Sequence, residues 1–203
     1  MAAMPNVLVV SPSRGWKSVA DLVAAAKAKP GQLNYASAGV GSATHLNAEK
    51  FRMQAGIDAV HVPFKGTPEA LSDVIAGRDD WFFAPLSAAL TLVKDGKLQA
   101  LAVSTPQRSP ALPNVPTTVE AGVPGSDYVF WVAMLVPSAT PPGVRQRIHD
   151  EAVKALADPE LKDRFAKLGA EPWTMDEAAF NAYIRTEVES AARIAKAANL
   201  KNQ

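Results

Sequence analysis

The chain has 203 residues, 48% of them hydrophobic and 20% charged, which is enough to bury the core of one domain or two small ones. Lysine and arginine number 21 against 20 aspartate and glutamate residues, so the composition excludes the strongly basic surface of a nucleic-acid-binding protein. The absence of cysteine excludes disulfides, thiolate zinc sites, cysteine nucleophiles and iron–sulfur clusters.

The first segments of the chain predict a strand and then a helix. The apolar run at residues 7–10 predicts a buried strand and is too short for the core of a signal peptide or for a membrane span. Ser18 and Asp21 have the spacing of a helix capping box, and the helix that they begin is expected to stop at Pro30.

This alternation of strand and helix continues along the first half of the chain. Strands separated by helices of about ten residues pair in parallel through right-handed crossovers, so the pattern predicts an α/β fold. Four further strands are predicted at residues 33–37, 58–62, 80–84 and 98–104, and three helices at residues 42–54, 67–76 and 85–97.

The second half follows a different pattern. Four prolines in residues 105–118 predict an ordered surface connection, because proline cannot occupy a central strand. Residues 128–137 predict one long apolar strand, and the strands at residues 7–11 and 130–137 are expected to cross between two lobes. Three helices are predicted at residues 143–157, 159–168 and 174–198, the last one capped by Thr174 and Glu177.

The strand at residues 33–37 leads into a turn of sequence SAGVGSATH, which we call the glycine loop (residues 37–45). Backbone N–H groups that converge before a helix favour an anion, so a carboxylate or phosphate would fit here. The third glycine position of a dinucleotide fingerprint is Thr44, and the lysine of a P-loop is missing. The alternative is a simple corner in which Gly39 and Gly41 turn the chain and Ser42 caps the helix.

Serine and histidine side chains are the candidates for catalytic or metal-binding groups in this sequence. Ser42 and His45 could form a nucleophile and base, but the G-x-S-x-G elbow and a carboxylate partner are missing. We therefore expect His45 to form hydrogen bonds near the turn, His61 to lie on a strand partly facing solvent, and His149 to lie at the surface. No metal site and no cofactor are predicted.

Two further strand-to-helix junctions are expected at the same edge of a parallel sheet as the glycine loop. Lys65 and Gly66 follow the second strand of this unit, and the segment from Ala84 to Ser87, which includes Pro85, follows the third. Ligands bind at this edge in open α/β sheets, so the three junctions favour a binding site. Asp79 and Asp80 precede a strand and are interpreted as a solvated turn at the opposite edge.

Several motifs, in this order, resemble the Bug family of solute-binding proteins, the extracytoplasmic receptors of tripartite tricarboxylate transporters. They are YASAGVGSATHL, VPFKGTPEALSDVIAG, DGKLQALAVSTPQRSPALPNVPTTVEAGVPG, PSATPPGV and DPELKDRFAKLGAEP. The resemblance implies a periplasmic, non-catalytic receptor with a two-lobed type II periplasmic-binding-protein fold. It also implies that two opposed loops hold a small carboxylate largely through backbone amides, and that membrane transporter subunits are partners.

When the family pattern is matched to this sequence residue by residue, the resemblance implies that one of those loops is the glycine loop. It also implies that Lys65-Gly66 and residues 84–87 line the same wall of the cleft. The substrate-binding residues implied are Ser37, Ala38, Gly39, Gly41, Ser42, Ala43, Thr44, His45, Lys65, Gly66, Pro85 and Ser87.

The chain departs from the family pattern because it lacks the proline-glycine-glycine loop of the opposite jaw. Residues 11–124 are therefore expected to form a complete inserted lobe, with residues 1–10 and 125–203 forming crossover strands and part of the other lobe. A single jaw predicts weak carboxylate binding. Exposed faces of Trp131, Met134, Phe165 and Phe180 predict self-association. The alternatives are an interaction module without a ligand and a Ser/His hydrolase.

Overall fold

The computed structural model describes residues 2–200, which contain two β-sheets covered by helices. The strands of the larger sheet are β2 (Asn6–Val10), β3 (Asn34–Ser37), β4 (Val60–Pro63), β5 (Trp81–Pro85) and β6 (Gln99–Val103), in the order β4-β3-β5-β2-β6. The strands of the smaller sheet are β1 (Ala2–Met4), β7 (Phe130–Val132) and β8 (Glu171–Pro172), in the order β7-β1-β8.

Strand direction in the larger sheet is mixed. The predicted parallel pairing is confirmed for β3, which lies between β4 and β5 and is parallel to both. Strand β2 separates β5 from β6 and is antiparallel to each. The reason is that β2 follows β1 directly through Pro5 instead of arriving by a crossover helix, so it enters the sheet from the edge at which its neighbours end.

Helices cover the larger sheet on both faces and form most of the chain after β7. Helix α1 has the predicted capping box, with the Ser18 side chain accepting from the Asp21 amide. The last helix is capped by Asp176 instead of Thr174, because the Asp176 carboxylate accepts a hydrogen bond from the Ala179 amide at 2.7 Å. The helices are α1 (Val19–Ala28), α2 (Ala43–Ala55), α3 (Thr67–Ile75), α4 (Leu86–Lys94), α5 (Pro142–Ala157), α6 (Pro159–Lys167) and α7 (Glu177–Ala197).

The core lies on both faces of the larger sheet. Val7 and Val9 of β2 pack on the side of α3 and α4, whereas Leu8 and Val10 pack on the side of α1 and α2. All four side chains are completely buried, which explains the uninterrupted apolar run in the sequence. The largest aromatic surfaces of this core come from Phe82 on one face and from Tyr35, Phe51, Trp81 and Phe83 on the other.

The chain crosses between the two sheets twice, at Pro5 and again before β7. The strand predicted at residues 7–11 to cross between two lobes lies inside the larger sheet as β2, and the division into lobes at residues 11–124 stays a prediction. The long strand predicted at residues 128–137 is also wrong, since only the three residues of β7 pair, with the short β1. Met134 and Leu135 beyond it are 66% and 67% exposed, whereas Trp131, Phe165 and Phe180 are half-buried. Self-association stays a prediction.

Ser104 joins the two crossing segments. Its hydroxyl accepts from the Asn6 amide at 3.1 Å and donates to the Tyr128 carbonyl at 2.7 Å. The backbone of Ser104 makes two more bonds at this junction. Its N–H donates to the Asn6 carbonyl, and its carbonyl accepts from the Tyr128 N–H. Ser104 is completely buried, so no water replaces these bonds if the hydroxyl is removed.

The substitution Ser104→Ala is expected to lower the free energy of unfolding by about 2 kcal/mol, because it leaves a buried amide and a buried carbonyl each short of a partner. Urea unfolding followed by circular dichroism measures this change. Ser138→Ala, in the exposed loop before α5, is the matched control and should change the free energy by less than about 0.5 kcal/mol. Equal unfolding midpoints for the two variants would contradict the role given to Ser104.

Candidate ligand-binding site at one edge of the larger sheet

The structure brings the three predicted junctions to one edge of the larger sheet. The glycine loop follows β3, Lys65 and Gly66 follow β4, and Pro85 and Ser87 lie where β5 passes into α4. Because β3, β4 and β5 are parallel neighbours, their carboxyl ends meet at this edge. The first two junctions are in contact, since the Phe64 amide donates to the Ser37 carbonyl at 3.0 Å.

The glycine loop is closed by its own side chains. The Ser42 hydroxyl donates to the Gly39 carbonyl at 2.7 Å and accepts from the His45 amide at 3.3 Å, which makes Ser42 the N-cap of α2. The Thr44 hydroxyl accepts from the Ala38 amide at 2.9 Å. Gly39 and Gly41 have φ values of +127° and +75°. Residues other than glycine rarely adopt this backbone region, so this loop shape requires both glycines.

Two backbone amides at the end of the glycine loop have no hydrogen-bond partner within residues 2–200. Ala43 and Thr44 are the first residues of α2, and within residues 2–200 no hydrogen bond engages their N–H groups. Such first-turn amides carry the positive end of the helix dipole and favour an anion. Gly41 is exposed and Ala43 is half-buried, so solvent reaches the Ala43 side of the loop, whereas Thr44 is only 3% exposed.

A pair of histidine rings supports the glycine loop from below. His45 Nδ1 accepts from the Gly41 amide at 3.0 Å, and His61 Nε2 lies 2.6 Å from the Ser37 hydroxyl. The two rings stack with centroids 3.7 Å apart and planes within 9° of each other. The predicted hydrogen bond of His45 near the turn is confirmed, and His61 is half-buried, as predicted. The contact of His61 with the glycine loop was not predicted, because it depends on the strand register that places His61 beside Tyr35.

A buried charged cluster lies next to the histidine pair. The Tyr35 hydroxyl is hydrogen-bonded to the Glu49 carboxylate, which also pairs with Arg52 at 2.8 Å. Burial, together with the bond to Glu49, raises the pKa of Tyr35 above its usual range, and the Glu49 bond raises the pKa of Arg52. Tyr35 stacks on Trp81 at 4.7 Å between centroids, so these rings form a rigid base under α2.

The pKa values of both histidines are lowered, which favours the neutral imidazoles. Burial lowers the pKa of His45, with Glu49 opposing this effect and Arg52 adding to it. Burial, followed by the repulsion from His45, lowers the pKa of His61 to about 4.

The other predicted site residues are placed without a direct role in this network. Lys65 is exposed, and its amide donates to the Glu69 carboxylate at 3.1 Å. Gly66 is the N-cap of α3, and Pro85 is the N-cap of α4. Ser87 is exposed, with its hydroxyl 3.7 Å from Met4 Sδ.

Asp79 and Asp80 lie at the opposite edge, as predicted, but the solvated turn is wrong. They are only 3% and 6% exposed. The Asp80 carboxylate accepts from the Asn34 amide at 2.8 Å and pairs with Arg14 at 2.8 Å, so it has a structural role. Burial, with repulsion from Asp73 and then Asp80, raises the pKa of Asp79 to about 6.

The arrangement of Ser42 and His45 differs from that of a nucleophile and its base. The Ser42 hydroxyl is directed to a backbone carbonyl, and His45 Nδ1 is occupied by the Gly41 amide. Among residues 2–200, no three histidine, aspartate or glutamate side chains are grouped to hold a metal ion. None of the helices in this part of the chain has the length and apolar character needed to cross a membrane.

Comparisons with known proteins agree with this fold. The model of the tripartite tricarboxylate transporter family receptor matches residues 1–200. A protein from Pseudomonas sp. (strain P51), named as the UPF0065 protein in the tcbD-tcbE intergenic region, is 35% identical over 169 residues, which are 83% of this chain and 50% of that protein.

Two solved structures have the same fold over most of the chain. R. palustris Rpa4515 with adipate has a TM-score of 0.91 at 31% identity, over 98% of this chain and 67% of that one. MatC (Rpa3494) from Rhodopseudomonas palustris with bound malate has a TM-score of 0.83 at 25% identity, over 95% and 66%. The chain thus spans half of the length of the Pseudomonas relative and about two thirds of the two structures. It belongs to the family of tripartite tricarboxylate transporter receptors.

Proposed function

We propose that the protein captures a small carboxylate at the glycine loop and serves as a periplasmic solute-binding receptor for a tripartite tricarboxylate-type transporter. The observation that carries this proposal is the pair of unengaged first-turn amides at Ala43 and Thr44. They offer two N–H donors at the positive end of a helix, and the closed loop holds them in place before a ligand arrives.

Two further observations support a carboxylate over a neutral solute. Lys65 places an exposed ammonium group on the junction next to the glycine loop, and the contact between Phe64 and Ser37 holds the two junctions together. Adipate and malate are bound in the two solved structures described above. Both ligands are dicarboxylates, which suit a site with two amide donors and a nearby cation.

Titration calorimetry of the purified protein with adipate, malate, a monocarboxylate and a tricarboxylate tests the proposal directly. We expect saturable heat with at least one of the dicarboxylates and a matching rise in melting temperature, because a ligand that binds only the folded state stabilises it. A protein that melts cooperatively but responds to none of these acids would favour an interaction module instead.

The substitution Ala43→Pro removes one of the two amides and changes little else. Proline is favoured at the first position of a helix, and the extended backbone of Ser42, with φ −64° and ψ 160°, suits the residue before a proline. We expect affinity for the dicarboxylate to fall by about tenfold, since hydrogen bonds to charged groups contribute about 1.5–3 kcal/mol.

Glu177→Pro is the matched control for this variant. It introduces proline at the first position of α7, after an N-cap with nearly the same backbone angles, φ −69° and ψ 167°. Calorimetry should give wild-type affinity for this control. Wild-type affinity for Ala43→Pro as well would mean that the Ala43 amide does not contact the ligand.

The substitution Lys65→Gln tests the contribution of the cation. We expect a two- to fivefold loss of affinity at low salt that shrinks as salt is added, because an exposed charge contributes roughly 0.2–1 kcal/mol and is screened. Lys94→Gln, at the exposed far end of α4 on the other edge of the sheet, is the control and should bind normally. A loss for Lys65→Gln that does not depend on salt would argue against a point-charge role.

A further inference from the structure

The two histidine rings under the glycine loop connect to it at two separate points. His45 holds the middle of the loop through the Gly41 amide, and His61 holds its beginning through Ser37. The Ser37 hydroxyl is in turn within 3.1 Å of both the amide nitrogen and the carbonyl oxygen of Gly39. The shape of the loop, and with it the position of its free amides, therefore depends on this pair of imidazoles.

The hydrogen bond from Gly41 determines which atom of His45 carries the proton. Because the Gly41 N–H donates, Nδ1 must keep its lone pair, and the proton of the neutral ring lies on Nε2. A protonated imidazole has N–H groups at both nitrogens. It would point the Nδ1 proton at the Gly41 N–H, so this hydrogen bond would be lost.

The surroundings give a positive charge on either ring little compensation. The titratable and charged groups that face the pair are Tyr35 from β3 and Glu49 and Arg52 from α2, and each ring also faces the other. Glu49 is the one acid among them, and its carboxylate is already bonded to Tyr35 and Arg52. His45 is only 1% exposed, so water does not solvate a charge there.

We propose that His45 and His61 are positioning residues that hold the glycine loop in its anion-binding shape, and that this shape lasts only while His45 is neutral, so that acidification releases the bound carboxylate. This inference rests on the proposed function for the release of ligand, but the response of the loop itself does not need a ligand. In this proposal the histidine pair acts on the shape of the glycine loop and does not contact the ligand.

The direction of the pH effect follows from the lowered pKa values. Both rings have pKa values below the usual value of about 6.5, and that of His61 is about 4. The unfolded or rearranged chain therefore takes up protons before the ordered loop does. The stability of the ordered loop is full above about pH 6.5 and is lost progressively as the pH falls towards 4.

The decisive comparison is between the wild-type protein and His45→Asn. The amide oxygen of asparagine lies close to the position of Nδ1 and accepts a hydrogen bond from Gly41 at any pH. Calorimetry with adipate from about pH 7.5 to about pH 4.5 is expected to show the affinity of the wild type falling about tenfold more than that of His45→Asn. Protonation of adipate itself affects both proteins equally, so it cancels in the ratio.

Two variants of His61 and one control separate positioning from simple packing. His61→Gln can still donate to Ser37 and is expected to keep most of the affinity at pH 7.5, whereas His61→Phe keeps a stacked ring but loses the bond and is expected to bind several-fold more weakly. His149→Asn, on α5, is the control and should keep the wild-type pH profile. Circular dichroism at each pH verifies that the compared proteins are folded.

A ligand-free measurement keeps this proposal separate from the proposed function. In the nuclear magnetic resonance spectrum of the unliganded wild type, the Gly41 amide signal is expected to shift with the titration of His45, and in His45→Asn it should stay constant. Absence of adipate binding at pH 7.5 would overturn the proposed function alone. Parallel affinity profiles for the two proteins, or a Gly41 signal that does not respond to pH, would overturn the positioning role.

Discussion

The antiparallel insertion of β2 between β5 and β6 is the constraint on which the rest of the structure depends. Its four apolar side chains are completely buried, two on each face, so both helical layers pack against the same strand. Its first residue, Asn6, lies at the edge where the candidate site is found. There the side-chain amide of Asn6 donates to the Asn47 side chain of α2 at 3.1 Å, and the backbone N–H of Asn6 donates to the Ser104 hydroxyl.

The start of β2 therefore connects the junction between the sheets to the helix that carries the glycine loop. Asn47 lies only two residues after His45 on α2, so the strand and the histidine pair hold the same turn of this helix. The Asn6 and Asn47 side chains are buried, and a buried polar pair of this kind is costly to disrupt.

The charged side chains next to the candidate site compensate one another, and this determines the electrostatic character of the site. Glu49 and Arg52 of α2 compensate each other's charge, and burial lowers the pKa of both histidines. The glycine loop consequently has backbone dipoles and no side-chain charge of its own, and Lys65 at the neighbouring junction is the nearby cation. In the proposed function, a site of this composition would recognise the carboxylate group and leave the rest of a solute to be selected by shape.

Local patterns were sufficient for the helices and strands of the first half. Capping residues such as Ser18 and Ser42 act on amides within three positions, so their effect is visible in the sequence. The long strand predicted at residues 128–137 failed because a strand extends only as far as its partner, and β1 has three residues. The burial of Asp79 and Asp80 was missed because Arg14 and Asn34, the partners of Asp80, are distant in the chain.

The sequence by itself determined the α/β class, the edge at which the three junctions meet, and the residues of the glycine loop, because each follows from periodicity, capping or turn chemistry within a short segment. The tertiary structure decided that β2 runs against its neighbours and that His61 stacks on His45 below the loop. These features depend on strand order and register, which join residues far apart in the chain and leave no local pattern.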